Sequence, residues 1–446
     1  MRISLVGPTH PYKGGIAQHT TEFALRLAAA GHDVEICSWS AQYPRLLYPG
    51  RQRVKRAEVG IAPGTHYPLS WRRPDGWWRL GRRLRGRADA VVVVVATPIQ
   101  APAYITVLRG LGAGRAGSPA TLALCHNVIP HEPRRADQAL MRALLRRAGT
   151  ALVHSDAEAA ATRALAGTPV RVARLPPHFL PPAGVADRPD RRPPAGSATL
   201  LFFGLVRPYK GLDVLLRALA AAPPGMRLIV AGEFWSPLGD VERLVQRLGI
   251  ADRVDLRPGY VAASDMPALF GATDAVVLPY RSATASQQVL LANAYGLPVV
   301  ATRVGTFPAQ IRDGVDGLLA EPGDPASLAA ALTALAAPGR LESLRNHVRV
   351  PDPDCDWSAY IAAAERALTA RPTIVAPSNG RQRSPGAGSA RRQGSRARDR
   401  AQAPGTMRFS PSSPRPWVAA SPAVTTSAPW SPERAATEEW GVGNGL

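Results

Sequence analysis

The sequence predicts an α/β fold of two doubly wound domains that face each other across a cleft, followed by a disordered C-terminal tail. Three observations predict it. A unit of strand, glycine loop, helix and strand opens the chain and recurs from residue 197. The tetrapeptide Pro-Tyr-Lys-Gly occupies the same place in both copies, at 11–14 and 208–211. Periodic apolar residues stop after residue 370.

In the first copy, "MRISLVGPTH" reads as a strand running into a Gly/Pro loop, and its five-residue apolar run is too short for a signal-peptide core. "GIAQHTTEFALRLAAAG" places Ile16, Phe23, Leu25 and Leu27 at mostly helical spacing and stops at Gly31. "HDVEICS" is the next strand, and "ADAVVVVVA" (88–96), "ATLALCHNV" (120–128) and "TALVHS" (150–155) are further buried ones. Ser155 with Glu158 forms a capping box, which makes His154 a strand-end residue. Residues 181–196 are rich in Pro, Gly and Arg and read as a linker. The unit then returns as "ATLLFFG", "LVRPYKG", "LDVLLRALAAA" and "MRLIVAGE".

The expected organisation is a first α/β domain at 1–180, the linker at 181–196 and a second at 197–350. A helix follows at 351–370 and the disordered tail at 371–446. The only apolar stretch long enough to invite comparison with a membrane span, beginning "ADAVVVVVATPIQ", is broken by Pro98 and Pro102. Cys37, Cys125 and Cys355 are far apart, with neither disulfide-framework nor zinc-knuckle spacing, so a reducing cytoplasm is expected.

All but three of the 54 basic residues are arginine, so the net charge of +21 reflects generic solvated positions more than a specific nucleic-acid partner. Against that background the three lysines stand out: Lys13, Lys55 and Lys210. Two belong to the repeated tetrapeptide. A lysine beside glycine at a helix start suits phosphate, because glycine admits backbone N–H groups to the anion and the helix terminus adds partial positive charge. Arg207, three residues before Lys210, supplies a second cation for a nucleoside diphosphate.

The stretches "PYKGGIAQHT", "LLFFGLVRPYKGLDVLLRAL", "GATDAVVLPY" and "GLPVVATRVGTFPAQIRDGVDGLLAEPGD" resemble glycosyltransferase family 4, the retaining nucleotide-sugar transferases of the two-Rossmann GT-B fold. The resemblance covers 1–370 and is strongest over 198–325. It implies that Arg207 and Lys210 hold the donor diphosphate, that Gly14 and Gly15 close on it, and that His126 lies near the donor sugar. It also implies a glycan or lipid-linked acceptor, no metal, and a last helix that crosses back to the first domain on Trp357, Tyr360 and Ile361. Lys13 and Gly204 join the donor-binding set through their loops.

The chain departs from that family in one respect that bears on chemistry. The two glutamates usual before the "G-x-P-V" turn are replaced by Ala283 and Leu291. The surrounding "RSATAS" offers Ser282, Thr284 and Ser286 as hydroxyl ligands for phosphate or sugar instead. A catalytically inactive sugar-nucleotide-binding homologue and a nucleotide-sugar epimerase are therefore the alternative expectations. Residues 71–87, "WRRPDGWWRLGRRLRGR", set seven arginines and three tryptophans against one aspartate, a composition suited to peripheral contact with an anionic bilayer at its inner face.

Overall fold

The structure, a computed structural model, describes residues 1–44, 52–54, 60–130, 135–178, 194, 196–284 and 286–369. The linker expected at 181–196, apart from residues 194 and 196, lies outside the described residues, as do the tail at 371–446, Lys55 and His131.

The first domain contains β1 (Arg2–Val6), α1 (Gly15–Ala29), β2 (Asp33–Ala41), β3 (Thr65–Ser70), α2 (Pro74–Arg85) and β4 (Ala90–Val95). It continues through α3 (Ala101–Leu111), β5 (Ala120–Cys125), α4 (Asp137–Leu145), β6 (Thr150–Val153), α5 (Asp156–Ala166) and β7 (Val170–Val172). Its strands pair in parallel in the order β3-β2-β1-β4-β5-β6-β7. Helices cover both faces of such a sheet, which is why β4 reads as an unbroken apolar run instead of an alternating one. The chain leaves β1 in one direction, then returns past it to β4. The loops after β1 and β4 therefore open at the point where a doubly wound sheet forms its crevice.

The second domain contains β8 (Ser197–Phe203), α6 (Leu212–Ala221), β9 (Gly225–Gly232), α7 (Leu238–Arg247), β10 (Val254–Pro258), α8 (Met266–Gly271) and β11 (Ala275–Leu278). After these come α9 (Gln287–Ala294), β12 (Val299–Thr302), α10 (Phe307–Gln310), β13 (Gly317–Ala320), α11 (Pro325–Ala336) and α12 (Arg340–Asn346). Parallel pairing in the order β10-β9-β8-β11-β12-β13 puts its switch between β8 and β11. Each Pro-Tyr-Lys-Gly loop thus leaves the first strand of its own sheet at the switch point.

The last described helix, α13 (Pro353–Thr369), packs on the first domain. Trp357, Tyr360 and Ile361 are 1%, 1% and 7% exposed among Ile3, Leu5, Phe23, Leu27 and Val92. Burying side chains of this size is worth about 1.5–3 kcal/mol each. Trp357 Nε1 donates to the Pro177 carbonyl at 2.8 Å, which satisfies the one polar atom of the indole. The Arg26–Asp354 ion pair at 2.6 Å and the His32–Glu365 hydrogen bond at 2.8 Å border the contact.

One apolar position on α1 differs from the sequence reading. Phe23 and Leu27 are fully buried, whereas Leu25 is 42% exposed. At 100° per residue Leu25 points away from the face that its two neighbours share, and Ala17 and Ala24 fill that face instead.

Candidate functional site

On the second domain the site begins with the loop after β8. Pro208–Lys210 forms a single tight turn, ended by Gly211 at φ 69°. A β-carbon at residue 211 would lie 2.1 Å from the Pro279 carbonyl, so the loop packs directly on the end of β11. Arg281 pins it from outside: both guanidinium amino groups donate to the Asp213 carboxylate at 2.8 Å, and one also reaches the Pro208 carbonyl. The Tyr209 carbonyl accepts from Arg281 N at 2.7 Å. The loop is thereby held rigid before any ligand arrives.

This packing buries Lys210, which is 8% exposed, with its ammonium 5.2 Å from the centre of the Tyr280 ring. Burial, helped by the nearby Arg207 charge, pushes the lysine down to about 8. No carboxylate pairs with it among the described residues. A β-carbon at Gly204 (φ 100°) would meet that ammonium and Gln288 Nε2 at 3.5 Å, so the glycine leaves open the space beside the charge. Arg207 stacks its guanidinium 4.8 Å from the Trp235 ring.

From the first domain comes the other lysine. Lys13 Nζ donates to Glu233 Oε1 at 2.6 Å and lies 4.6 Å from the Tyr260 ring centre, so it spans the cleft to the second domain. Gly14, at φ 99°, begins α1 with open space where a β-carbon would stand, and Gly15 is the first helical residue. Glu233, Trp235 and Tyr260 were not singled out by the sequence. They follow β9 and β10, whose C-terminal ends share the cleft edge with β8, and that adjacency is the signal that could have found them.

The "RSATAS" hydroxyls are already engaged with protein. Thr284 donates across the cleft to Asn127 Oδ1 at 2.6 Å, and Ser286 caps α9 by accepting from Gln288 N at 3.2 Å. Ser282 is half-buried between Arg281 and Ala283. Leu291 is 2% exposed in the core of the second domain.

His126 ends β5 at the cleft and belongs to a buried group that the sequence did not reveal. His19, His126, His154 and His178 are 0%, 7%, 3% and 9% exposed. Their rings approach one another closely, His19–His126 at 4.8 Å and His126–His154 at 5.0 Å, and Tyr360 lies 5.2 Å from His19. Burial and mutual repulsion hold His19 and His126 well below the ordinary imidazole range. Burial lowers His154 to about 4 and His178 to about 3. Glu158, also buried, is raised to about 7 and accepts from His154 N through its second oxygen. The capping serine behaves as its spacing implies, Ser155 accepting from Glu158 N at 3.2 Å.

Residues 14–178 match the family model described as a glycosyl transferase 4-like domain, and residues 197–337 match the one described as glycosyl transferases group 1. The D-inositol 3-phosphate glycosyltransferase of Segniliparus rotundus is 33% identical over 196 residues, 41% of this chain and 43% of that protein. The protein of the same name from Actinosynnema mirum is 35% identical over 215 residues, 43% of this chain and 50% of its own. The chain therefore spans half or less of the length of these curated relatives. Among solved structures, a sucrose-phosphate synthase from Thermosynechococcus elongatus is 18% identical with a TM-score of 0.64, covering 82% of this chain and 99% of its own. Anabaena HepE in complex with UDP and glucose is 15% identical with a TM-score of 0.61, covering 82% and 98%. Both share the architecture of two doubly wound domains across a cleft. The two family models match in order, one on each domain, and together take in more than half of the chain: it is built of two glycosyltransferase-family domains in the GT-B fold.

Proposed function

We propose that the protein transfers a sugar, with retention, from a nucleoside diphosphate donor to a hydroxyl of a glycan or lipid-linked acceptor. The observation that carries this reading is the Lys210 ammonium, buried in a rigid glycine loop near Arg207 and paired with no carboxylate among the described residues. Such a charge is costly until an anion of the right shape arrives. In the transfer, the bond from the anomeric carbon to the diphosphate oxygen breaks as the acceptor oxygen bonds to the same face. The acceptor proton passes to the departing phosphate oxygen. Arg207 and Lys210 stabilise the charge that gathers on the diphosphate, which is the largest protein contribution in chemistry of this kind. Metal is not required in this scheme. Gly14 and Gly15 approach the phosphates, and His126, held neutral, lies toward the donor sugar.

The acceptor would bind on the first domain. A pocket of about 480 Å³ there is lined by Ser40, Tyr67, Ser70, Arg73, Arg79 and Arg83, among others, and suits an acceptor bearing an anionic group. The relatives' name makes a phosphorylated inositol the first such acceptor to try. Exposed Trp71 and Trp78, with the arginines of α2, support peripheral contact with an anionic membrane. No helix among the described residues is long and apolar enough to cross a membrane.

The experiment is a screen of nucleotide sugars by thermal shift, followed by measurement of nucleoside diphosphate release with and without acceptor. Release that requires acceptor supports the transferase. A second reading rests on Ala283 and Leu291, which leave two expected carboxylates out of the site: tight donor binding without turnover would favour an inactive binding homologue.

A further inference from the structure

The Lys13–Glu233 contact joins residues 220 positions apart and closes the cleft at its phosphate side. Both partners are largely shielded, with side chains 9% and 21% exposed. Glu233 is fixed at that spot by its backbone: its carbonyl accepts from Val206 N at 2.8 Å, one residue before Arg207. Its carboxylate therefore shares a corner with the cations assigned above to the donor, and it holds Lys13, the lysine of the first domain's glycine loop. A carboxylate there does for Lys13 what a phosphate oxygen would do.

We infer that Glu233 is a gate on the donor site, an internal anion that occupies Lys13 until the donor diphosphate displaces it. The inference rests on the donor reading of the preceding subsection. The exchange trades one charge-assisted bond of Lys13 for another, so it alters affinity less than it alters which anion closes the cleft. It also gives the site a selectivity: a ligand without phosphate at this point leaves the Lys13–Glu233 pair intact.

The test uses the full chain and calorimetric titration of UDP, ADP and GDP into wild type, Glu233→Gln, Lys13→Ala and the double variant. Glu233→Gln is expected to bind its preferred diphosphate about three- to tenfold more tightly than wild type, and the gain should vanish when Lys13 is absent. Unchanged or weaker binding in Glu233→Gln overturns the gate, and so does an equal gain in the Lys13→Ala background. A readout that needs no substitution is available because the sequence holds only three lysines. In protein with ¹⁵N-labelled lysine, the Lys13 ammonium resonance should shift when the preferred diphosphate is added; a Lys13 signal that stays in place while binding saturates overturns the gate alone. Wild type that binds none of the three diphosphates at millimolar concentration overturns the transferase reading, and the gate with it.

Discussion

Thr284 Oγ1 donates to Asn127 Oδ1 at 2.6 Å, one residue beyond His126, and so ties the loop after β11 to the end of β5. With Lys13–Glu233, and with Gln287 Nε2 donating to the Pro176 carbonyl at 2.7 Å, this bond joins the two domains across the cleft among the described residues. Each is worth about 1 kcal/mol or a little more. Closure of this strength is reversible, as the proposed transfer would require.

Lys210→Ala should lower the transfer rate about 100- to 1000-fold, the usual loss when one preorganised donor at developing negative charge is removed. Its melting temperature should not fall, because the substitution also removes a buried charge. A folded variant with near-normal activity would take this lysine out of the mechanism.

The same lysine fixes a pH dependence. Lys210 is lowered to about 8, and its anion-binding form is the protonated one. Diphosphate affinity in wild type should therefore be level below that pH and decline as pH rises through it, by up to about tenfold per unit. Calorimetry between pH 6.5 and 9.5 checks this, and Lys210→Ala should lose the break.

Lys13→Ala should reduce the catalytic rate more than it weakens nucleoside diphosphate binding. If the gate operates, the phosphate contact of Lys13 comes at the expense of its bond to Glu233, so the net binding gain is small, while the closed geometry proposed for transfer depends on it. Steady-state kinetics beside calorimetry separates the two quantities. Equal losses in both would contradict the argument.

The histidine group predicts acid sensitivity. His19, His126, His154 and His178 are held neutral below their unfolded range, so the unfolded chain binds more protons than the folded one as pH falls below about 6.5. Glu158 acts in the opposite sense: raised to about 7, it is protonated in the folded state first and offsets one histidine down to its unfolded range. The histidines outnumber the single glutamate, so the net is a loss of stability as pH falls below about 6.5. Urea unfolding at pH 7 and pH 5.5 measures it. His19→Phe, which places a ring beside Phe23 and Trp357, should make the dependence shallower.

Gly204→Ala should weaken diphosphate binding more than it weakens the fold. Its φ of 100° disfavours a side chain, and the added methyl would stand 3.5 Å from Lys210 Nζ, in the space an anion needs. A variant that melts normally yet binds diphosphate as wild type does would show that the anion approaches from elsewhere.

The repeated tetrapeptide made the architecture legible, because glycine loops, apolar runs and their order are local properties of a chain. The burial of Lys210, by contrast, depends on Gly211 meeting Pro279 nearly seventy residues later, and no local pattern announces that. Glu233 escaped notice for the same reason: its partner is on the other domain. The histidines come from α1 and from the segments after β5, β6 and β7, and are neighbours only once the sheet order brings those elements together. Leu25 shows the converse, an apolar residue whose position in the sequence suggested the core and whose angle on the helix put it in water.

The return of α13 to the first domain has a consequence for synthesis. Ile3, Leu5, Phe23 and Leu27 are translated about 330 residues before the surface that covers them, Trp357 and Tyr360. At ordinary rates of about 5–20 residues per second the gap is tens of seconds. During that interval the first domain carries an uncovered apolar face and the unsheltered histidines beneath it. The nascent chain is therefore exposed to aggregation and to chaperone capture longest at this face, and the second domain, made later, can complete its own core sooner.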